Sequence, residues 1–183
     1  MKNFHLNRED VVFTFIDIQD KLLKAMYNKD QIVKNSTVLA KVASTIGAEA
    51  IYTVQYPKGL GFTNEEVKAP LKDKKEFGKL TFNSYGDEEI KKEFDSLGKK
   101  QVVLCGMETH ICAFQTVRAL LEAGFEVFVA ADALGSRSEE NSKNGMELLR
   151  EMGAVISNTE TILFDLAGIA GTDEFKTLQK LII

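Results

Sequence analysis

Short apolar runs alternate with helical stretches from Val11 to Ser157, and that rhythm restricts the fold more than any other property of this 183-residue sequence. Residues 11–16 are β-branched and aromatic, which suits a strand buried on both faces. Residues 50–54, 101–105, 126–130 and 154–157 repeat the pattern, and 80–82 is a weaker sixth candidate. Between them the spacing predicts helices over 31–46, 87–97, 110–123 and 139–152. Gly47, Gly124 and Gly153 stand where three of these should end, and Asp87 is placed to cap another. The tail, 173–183, reads as a further helix that can pack on the sheet or on a partner, its apolar end, Leu178 to Ile183, being available to an interface. Strands alternating with helices require crossovers, and these are right-handed. The expected fold is α/β, a three-layer α/β/α Rossmann-like arrangement with a mostly parallel sheet of about six strands. Residues 1–183 form one expected domain, since no linker interrupts the rhythm.

In such sheets ligands bind beyond the carboxyl ends of the strands, which reduces the candidates to a few. They are Asp17 after the first strand, Gln55 and Tyr56 after the second, the segment after Cys105, and Asp132 after the fifth. The first strand runs into Asp17-Ile18-Gln19-Asp20, without the glycines a pyrophosphate needs to approach a helix, so dinucleotide binding is disfavoured. A net charge of −4 argues against nucleic acid as a partner. The one basic cluster, Lys72, Lys74, Lys75 and Lys79, is interrupted by Asp73 and Glu76 and reads mostly as solvated surface. No apolar run reaches the roughly 20 residues of a membrane helix, so no membrane association is expected. The charged N-terminal segment MKNFHLNREDVV does not look like a secretory leader, and the expected location is the cytoplasm.

Cys112 lies where a strand ends in Gly106 and a helix begins, in Gly106-Met107-Glu108-Thr109-His110-Ile111-Cys112. A thiol in the first turn of a helix faces unpaired N–H groups and the positive end of the helix dipole. Both favour the thiolate, and the same N–H groups suit an oxyanion. Position alone leaves open whether Cys112 is packing and whether Asp17 caps the next helix. Cys105, ending a buried strand, is assigned to the core. His110, two residues before Cys112, points to another side of a helix and is a poor base for it.

The Asp17-Ile18-Gln19 opening, Lys79 before Leu80-Thr81-Phe82, and the segment from Gly106 to Cys112 resemble, in order and spacing, the motifs of the isochorismatase-like cysteine hydrolases. This family includes nicotinamidases and N-carbamoylsarcosine amidohydrolases. The resemblance covers roughly residues 9–165, and Ala130-Ala131-Asp132-Ala133 belongs to it. The stretch Val54-Gln55-Tyr56-Pro57-Lys58-Gly59-Leu60-Gly61 is similar to the isochorismatase-domain-containing branch. The resemblance implies a catalytic set of Asp17 as base, Lys79 as electrostatic partner and Cys112 as nucleophile. It also implies a cis Met107–Glu108 bond and an oxyanion hole formed by the backbone N–H groups of Glu108 and Cys112.

The expected reaction is hydrolysis of an amide or amide-like C–N bond of a small molecule through a covalent Cys112 intermediate. Vinyl-ether hydrolysis and a silent binding or scaffold role are the alternatives. The family also implies a homo-oligomer, dimer or higher. Nicotinamidases carry an Asp-x-His metal site after the second strand, where this chain has Thr53, Val54, Gln55 and Tyr56, so no metal and no other cofactor is expected. By position, Phe15, Gln19, Gln55, Tyr56, Phe82, Tyr85 and Ile111 are the candidates for lining the substrate pocket.

Overall fold

Every residue of β1 (Val11–Ile16) is buried, as a strand covered by helices on both faces must be. The computed structural model describes residues 3–183; Met1 and Lys2, which open the segment read against a leader, lie outside the described residues. Five further strands join β1: β2 (Glu49–Gln55), β3 (Glu76–Lys79), β4 (Gln101–Met107), β5 (Glu126–Gly135) and β6 (Val155–Ser157). They form one sheet in the order β3-β2-β1-β4-β5-β6, with every pairing parallel. The helices are α1 (Asp20–Leu23), α2 (Lys29–Ile46), α3 (Pro57–Leu60), α4 (Glu65–Lys68), α5 (Glu88–Leu97), α6 (Phe114–Glu122), α7 (Glu139–Glu151), α8 (Thr159–Ala167) and α9 (Asp173–Gln179).

Strand alternation divides the core between the two faces of the sheet. Phe13, Phe15, Tyr52, Val103, Cys105 and Phe128 pack under α2, α8 and α9. Val12, Ile16, Ile51, Phe77, Leu104 and Val129 pack under α5, α6 and α7, together with Cys112. The two cysteines therefore lie on opposite faces. Strand order reverses between β1 and β4, and the crevice beyond their carboxyl ends is where such sheets place ligands.

Expected helix ends appear where their signals stand. Gly47 closes α2 in the left-handed region at φ 70°, and the Asp87 carboxylate accepts from the N–H groups of Glu89 and Ile90 at the start of α5. Several expectations need correction. The sixth strand is β3, Glu76–Lys79, rather than 80–82; Leu80 and Phe82 are exposed. Its four residues, two of them charged and one a glycine, carry too little apolar pattern to be seen inside the run of lysines. The helix expected at 110–123 starts with a π-helical turn, Thr109–Ala113, and becomes α-helical only at Phe114. Helix α8 is absent from the expected elements, although Ile162, Leu163 and Leu166 stand at helical spacing behind Asn158 as its cap. Of the two expectations for the tail, packing on the protein's own core holds: Leu178 is buried and Leu181 and Ile182 pack on the core, leaving Ile183 exposed. Among the described residues no helix is long and apolar enough to cross a membrane.

Candidate active site

Strict alternation along β1 would send Asp17 to the same face as Phe13 and Phe15, away from Cys112. It does not go there, because Asp17 leaves the strand at φ 53°, one of only two non-glycine residues with positive φ among those described. Aspartate tolerates this region better than most residues, at a cost of order 1 kcal/mol. The other is Tyr56, at φ 42°, immediately after β2. Both irregular residues thus stand at the carboxyl edge of the sheet.

The turn at Asp17 is held by its own backbone and side chain. Its N–H donates to the Thr53 carbonyl at 3.0 Å, and its Oδ1 accepts from the Thr53 hydroxyl at 2.8 Å. Oδ2 accepts from Lys79 Nζ at 2.7 Å, an ion pair whose side chains are 1% and 0% exposed. Lys79 reaches it because β3 pairs with β2 so that Lys79 lies beside Gln55. Lys79 Nζ also donates to Gln55 Oε1 at 2.6 Å and to the Thr81 carbonyl at 3.2 Å. Lys79 is the one buried member of the lysine cluster; Lys72 and Lys75 are exposed and Lys74 is half-buried, so most of the cluster is solvated as expected.

Cys112 comes from the other side of the crevice. Gly106, at φ 119°, lets β4 lie against β1; a Cβ there would fall 2.1 Å from the Ile16 carbonyl oxygen. The chain then passes through a cis Met107–Glu108 bond into the π-helical turn. Helix α7 packs closely on this turn, since a Cβ at Gly145 would come 2.9 Å from the backbone nitrogen of His110. The Cys112 thiol lies near enough to Asp17, Lys79 and the Glu108 backbone for each to act on its ionisation. Burial, followed by the negative charge of Asp17, pushes the thiol up to about 12, while Lys79 and the Glu108 N–H act in the opposite direction. This corrects the expectation of a lowered thiol: the turn supplies one N–H, too little to offset removal from water. Cys105 is also pushed up to about 12, by burial first, and it has no carboxylate–lysine pair.

The expected pocket residues are distributed unevenly. Gln19 is fully buried and clamps the following loop, donating to the carbonyls of Gln55 and Gly61 and accepting from the Gln55 N–H. Gln55 touches Lys79, Tyr56 and Phe82 are about half exposed at the same edge, and Ile111 is half-buried beside Cys112 in the turn. Phe15 is misplaced as a pocket residue: it is stacked on Tyr52 at 4.6 Å in the core of the opposite face. Tyr85 is also engaged elsewhere, its hydroxyl on Asp95 and its ring edge-on to Phe94 and Phe125. Asp132 lies within β5 and caps α8 through the N–H and hydroxyl of Thr159. His110 Nδ1 pairs with Ser136 Oγ at 3.0 Å.

Sequence reasoning missed Thr53 as a partner of Asp17 and Arg137 as a partner of the Glu108 carboxylate. The signal for Thr53 was its place two residues before Gln55, on the same face of β2. These residues do not suit the metal site of the nicotinamidases: the Thr53 hydroxyl is given to Asp17, the Gln55 oxygen to Lys79, and neither is an imidazole. Surface cavities of about 880 and 630 Å³ lie along α2 and along β6 with α8, and none of the Asp17, Lys79 and Cys112 side chains lines them. Chemistry, rather than cavity size, marks the site.

A family model described as the isochorismatase domain matches residues 11–161. Isochorismatase domain-containing protein 2 of Bos taurus is 35% identical over 167 residues, covering 91% of this chain and 79% of that protein. A solved structure described as the MAR1 ribonuclease of Caenorhabditis elegans is 30% identical, with a TM-score of 0.91 over 97% of this chain and 92% of that one. The YcaC gene product of Escherichia coli, described as an octameric hydrolase of unknown specificity, has the same fold at 23% identity. Its TM-score is 0.93, covering 100% of this chain and 93% of that one.

Proposed function

The chain belongs to the isochorismatase family of hydrolases, and from that membership we propose that it is a cysteine hydrolase of small-molecule amide or amide-like bonds. The observation that carries this reading is the convergence of Asp17, Lys79 and Cys112 from three strand ends, with the thiol in the field of a carboxylate that is itself paired to a buried ammonium. No metal is invoked.

The thiol rests protonated, so its proton must leave as attack begins. Asp17 takes it while the sulfur bonds to the carbonyl carbon, and the Glu108 and Cys112 N–H groups receive the oxyanion. As the C–N bond breaks, the amine takes the proton from Asp17. Asp17 then draws a proton from water, whose oxygen attacks the thioester; the S–C bond breaks and the thiol recovers its proton. The charge of Lys79 favours the sulfur anion throughout. Its three N–H groups already have acceptors, so its part is electrostatic rather than proton transfer.

Turnover of a primary-amide panel, followed by ammonia release, tests the reading: activity that vanishes in Cys112→Ala supports it, and activity that survives removes it. A thiol held at about 12 also suits vinyl-ether hydrolysis, which does not need the sulfur. Isochorismate turnover that persists in Cys112→Ser would establish that second reading instead. Ribonuclease action, the description carried by the C. elegans structure, fits poorly with a net charge of −4 and a site without a free imidazole.

The proposed assembly is a homo-oligomer of single-domain chains, in line with the octamer described for YcaC. Exposed Tyr56 and Phe62 in the segment after β2, and Leu80 and Phe82 after β3, favour such burial. Light scattering that returned a monomer mass would exclude it.

A further inference from the structure

The Lys79 ammonium has three N–H groups and three acceptors: the charged Asp17 Oδ2, the neutral Gln55 Oε1 and the neutral Thr81 carbonyl. Gln55 is fixed from several directions. Its Nε2 donates to the Leu80 carbonyl at 2.9 Å, and its backbone N–H and C=O are both bonded to the Gln19 side chain. With the amide nitrogen on a carbonyl, the amide oxygen must face Lys79; the flipped rotamer would set NH2 against NH3+. Register explains the contact, since Gln55 and Lys79 are direct neighbours across β2 and β3.

We propose that Gln55 is a positioning residue: its uncharged oxygen holds the Lys79 ammonium in place without consuming its charge, leaving that charge to Asp17 and to the sulfur anion formed at Cys112. The proposal rests on the cysteine-hydrolase reading. Charge bookkeeping shows why an amide belongs here. Asp17 and Lys79 sum to zero with the thiol intact, and protonated Asp17, Lys79 and the sulfur anion again sum to zero. A carboxylate at position 55 would leave one excess negative charge in both states and oppose net loss of the thiol proton, because the sulfur anion would then form beside two carboxylates and a single ammonium. An apolar side chain would leave a buried N–H without a partner.

Gln55→Glu and Gln55→Met separate this role from a structural one, because both lose the bond to Leu80 and only one adds charge. The readout is alkylation of Cys112 by iodoacetamide at pH 9, followed by peptide mass mapping, which requires no turnover. Alkylation should slow about threefold in Gln55→Met and about tenfold further in Gln55→Glu, the tenfold corresponding to one unit in thiol ionisation. Equal rates in the two variants overturn the proposal. If Gln55→Glu does not fold, Gln55→Met against the wild type carries the test, and rates within about twofold of each other overturn it. Slowed alkylation in a protein that forms no acyl-enzyme upholds the positioning role and refutes the hydrolase reading. Equal alkylation in a protein that does form one refutes the positioning role alone.

Discussion

Replacing Lys79 by Met removes the cation and keeps most of the aliphatic volume. Lys79 is fully enclosed, and its ammonium lies 2.7 Å from an Asp17 oxygen that is equally enclosed. Without it, Asp17 either stays ionised and unpaired or takes a proton. Breaking a buried pair from one side costs about 3–5 kcal/mol, whereas replacing both partners by neutral groups is often close to neutral. Lys79→Met should therefore lose about 3 kcal/mol in urea unfolding at pH 7, and Asp17→Asn/Lys79→Met should recover at least half of that loss. Turnover should fall at least ~100-fold in the single variant, since a protonated Asp17 cannot accept the thiol proton. The reasoning fails if Lys79→Met is as stable as the wild type, or if the double variant is the less stable of the two.

Thr53→Val keeps the shape of the strand and deletes the hydroxyl on Asp17 Oδ1; it should cost about 1–2 kcal/mol in denaturant unfolding and about tenfold in turnover. Gly106→Ala should fail to fold or lose more than ~3 kcal/mol, read from the unfolding midpoint, because its Cβ would collide with the Ile16 carbonyl at a φ of 119°. Alkaline stability should also report on Cys112. A thiol raised in the folded state to about 12 binds more protons there than in the unfolded chain, so its stabilising contribution is complete below the ordinary thiol value near 9 and is lost as pH rises to about 12. Denaturation across that window should show the wild type losing up to ~1.4 kcal/mol per pH unit relative to Cys112→Ala.

Strand and helix rhythm was legible because β1, β2, β4 and β5 are largely buried and carry apolar runs interrupted by no more than single polar residues such as Thr14 and Thr53. The same rule concealed β3, an edge strand of four residues in which Phe77 is the only large apolar side chain. Asp17, Lys79 and Cys112 were legible as ordered motifs. The means of bringing them together was not: positive φ at Asp17, the close approach at Gly106 and the π-helical turn are backbone events without a periodic signature. The direction of the thiol was misjudged for a related reason. Placement at a helix start is visible in sequence, but desolvation by surrounding elements is not, and desolvation is the larger effect. Phe15 and Tyr85 show the limit of reading pocket residues by position, because both sit near strand ends or site motifs and yet turn into the core or along α5.

The central claim is that Cys112 becomes covalently acylated with Asp17 as its base. Intact mass measurement after rapid acid quench of the protein mixed with p-nitrophenyl acetate, with peptide mapping of the adduct, tests this most directly. The account predicts a single acetyl group on Cys112, absent in Cys112→Ala, strongly reduced in Asp17→Asn and retained in Cys105→Ala. An unmodified Cys112, or acetylation that persists at wild-type rate in Asp17→Asn, would contradict it.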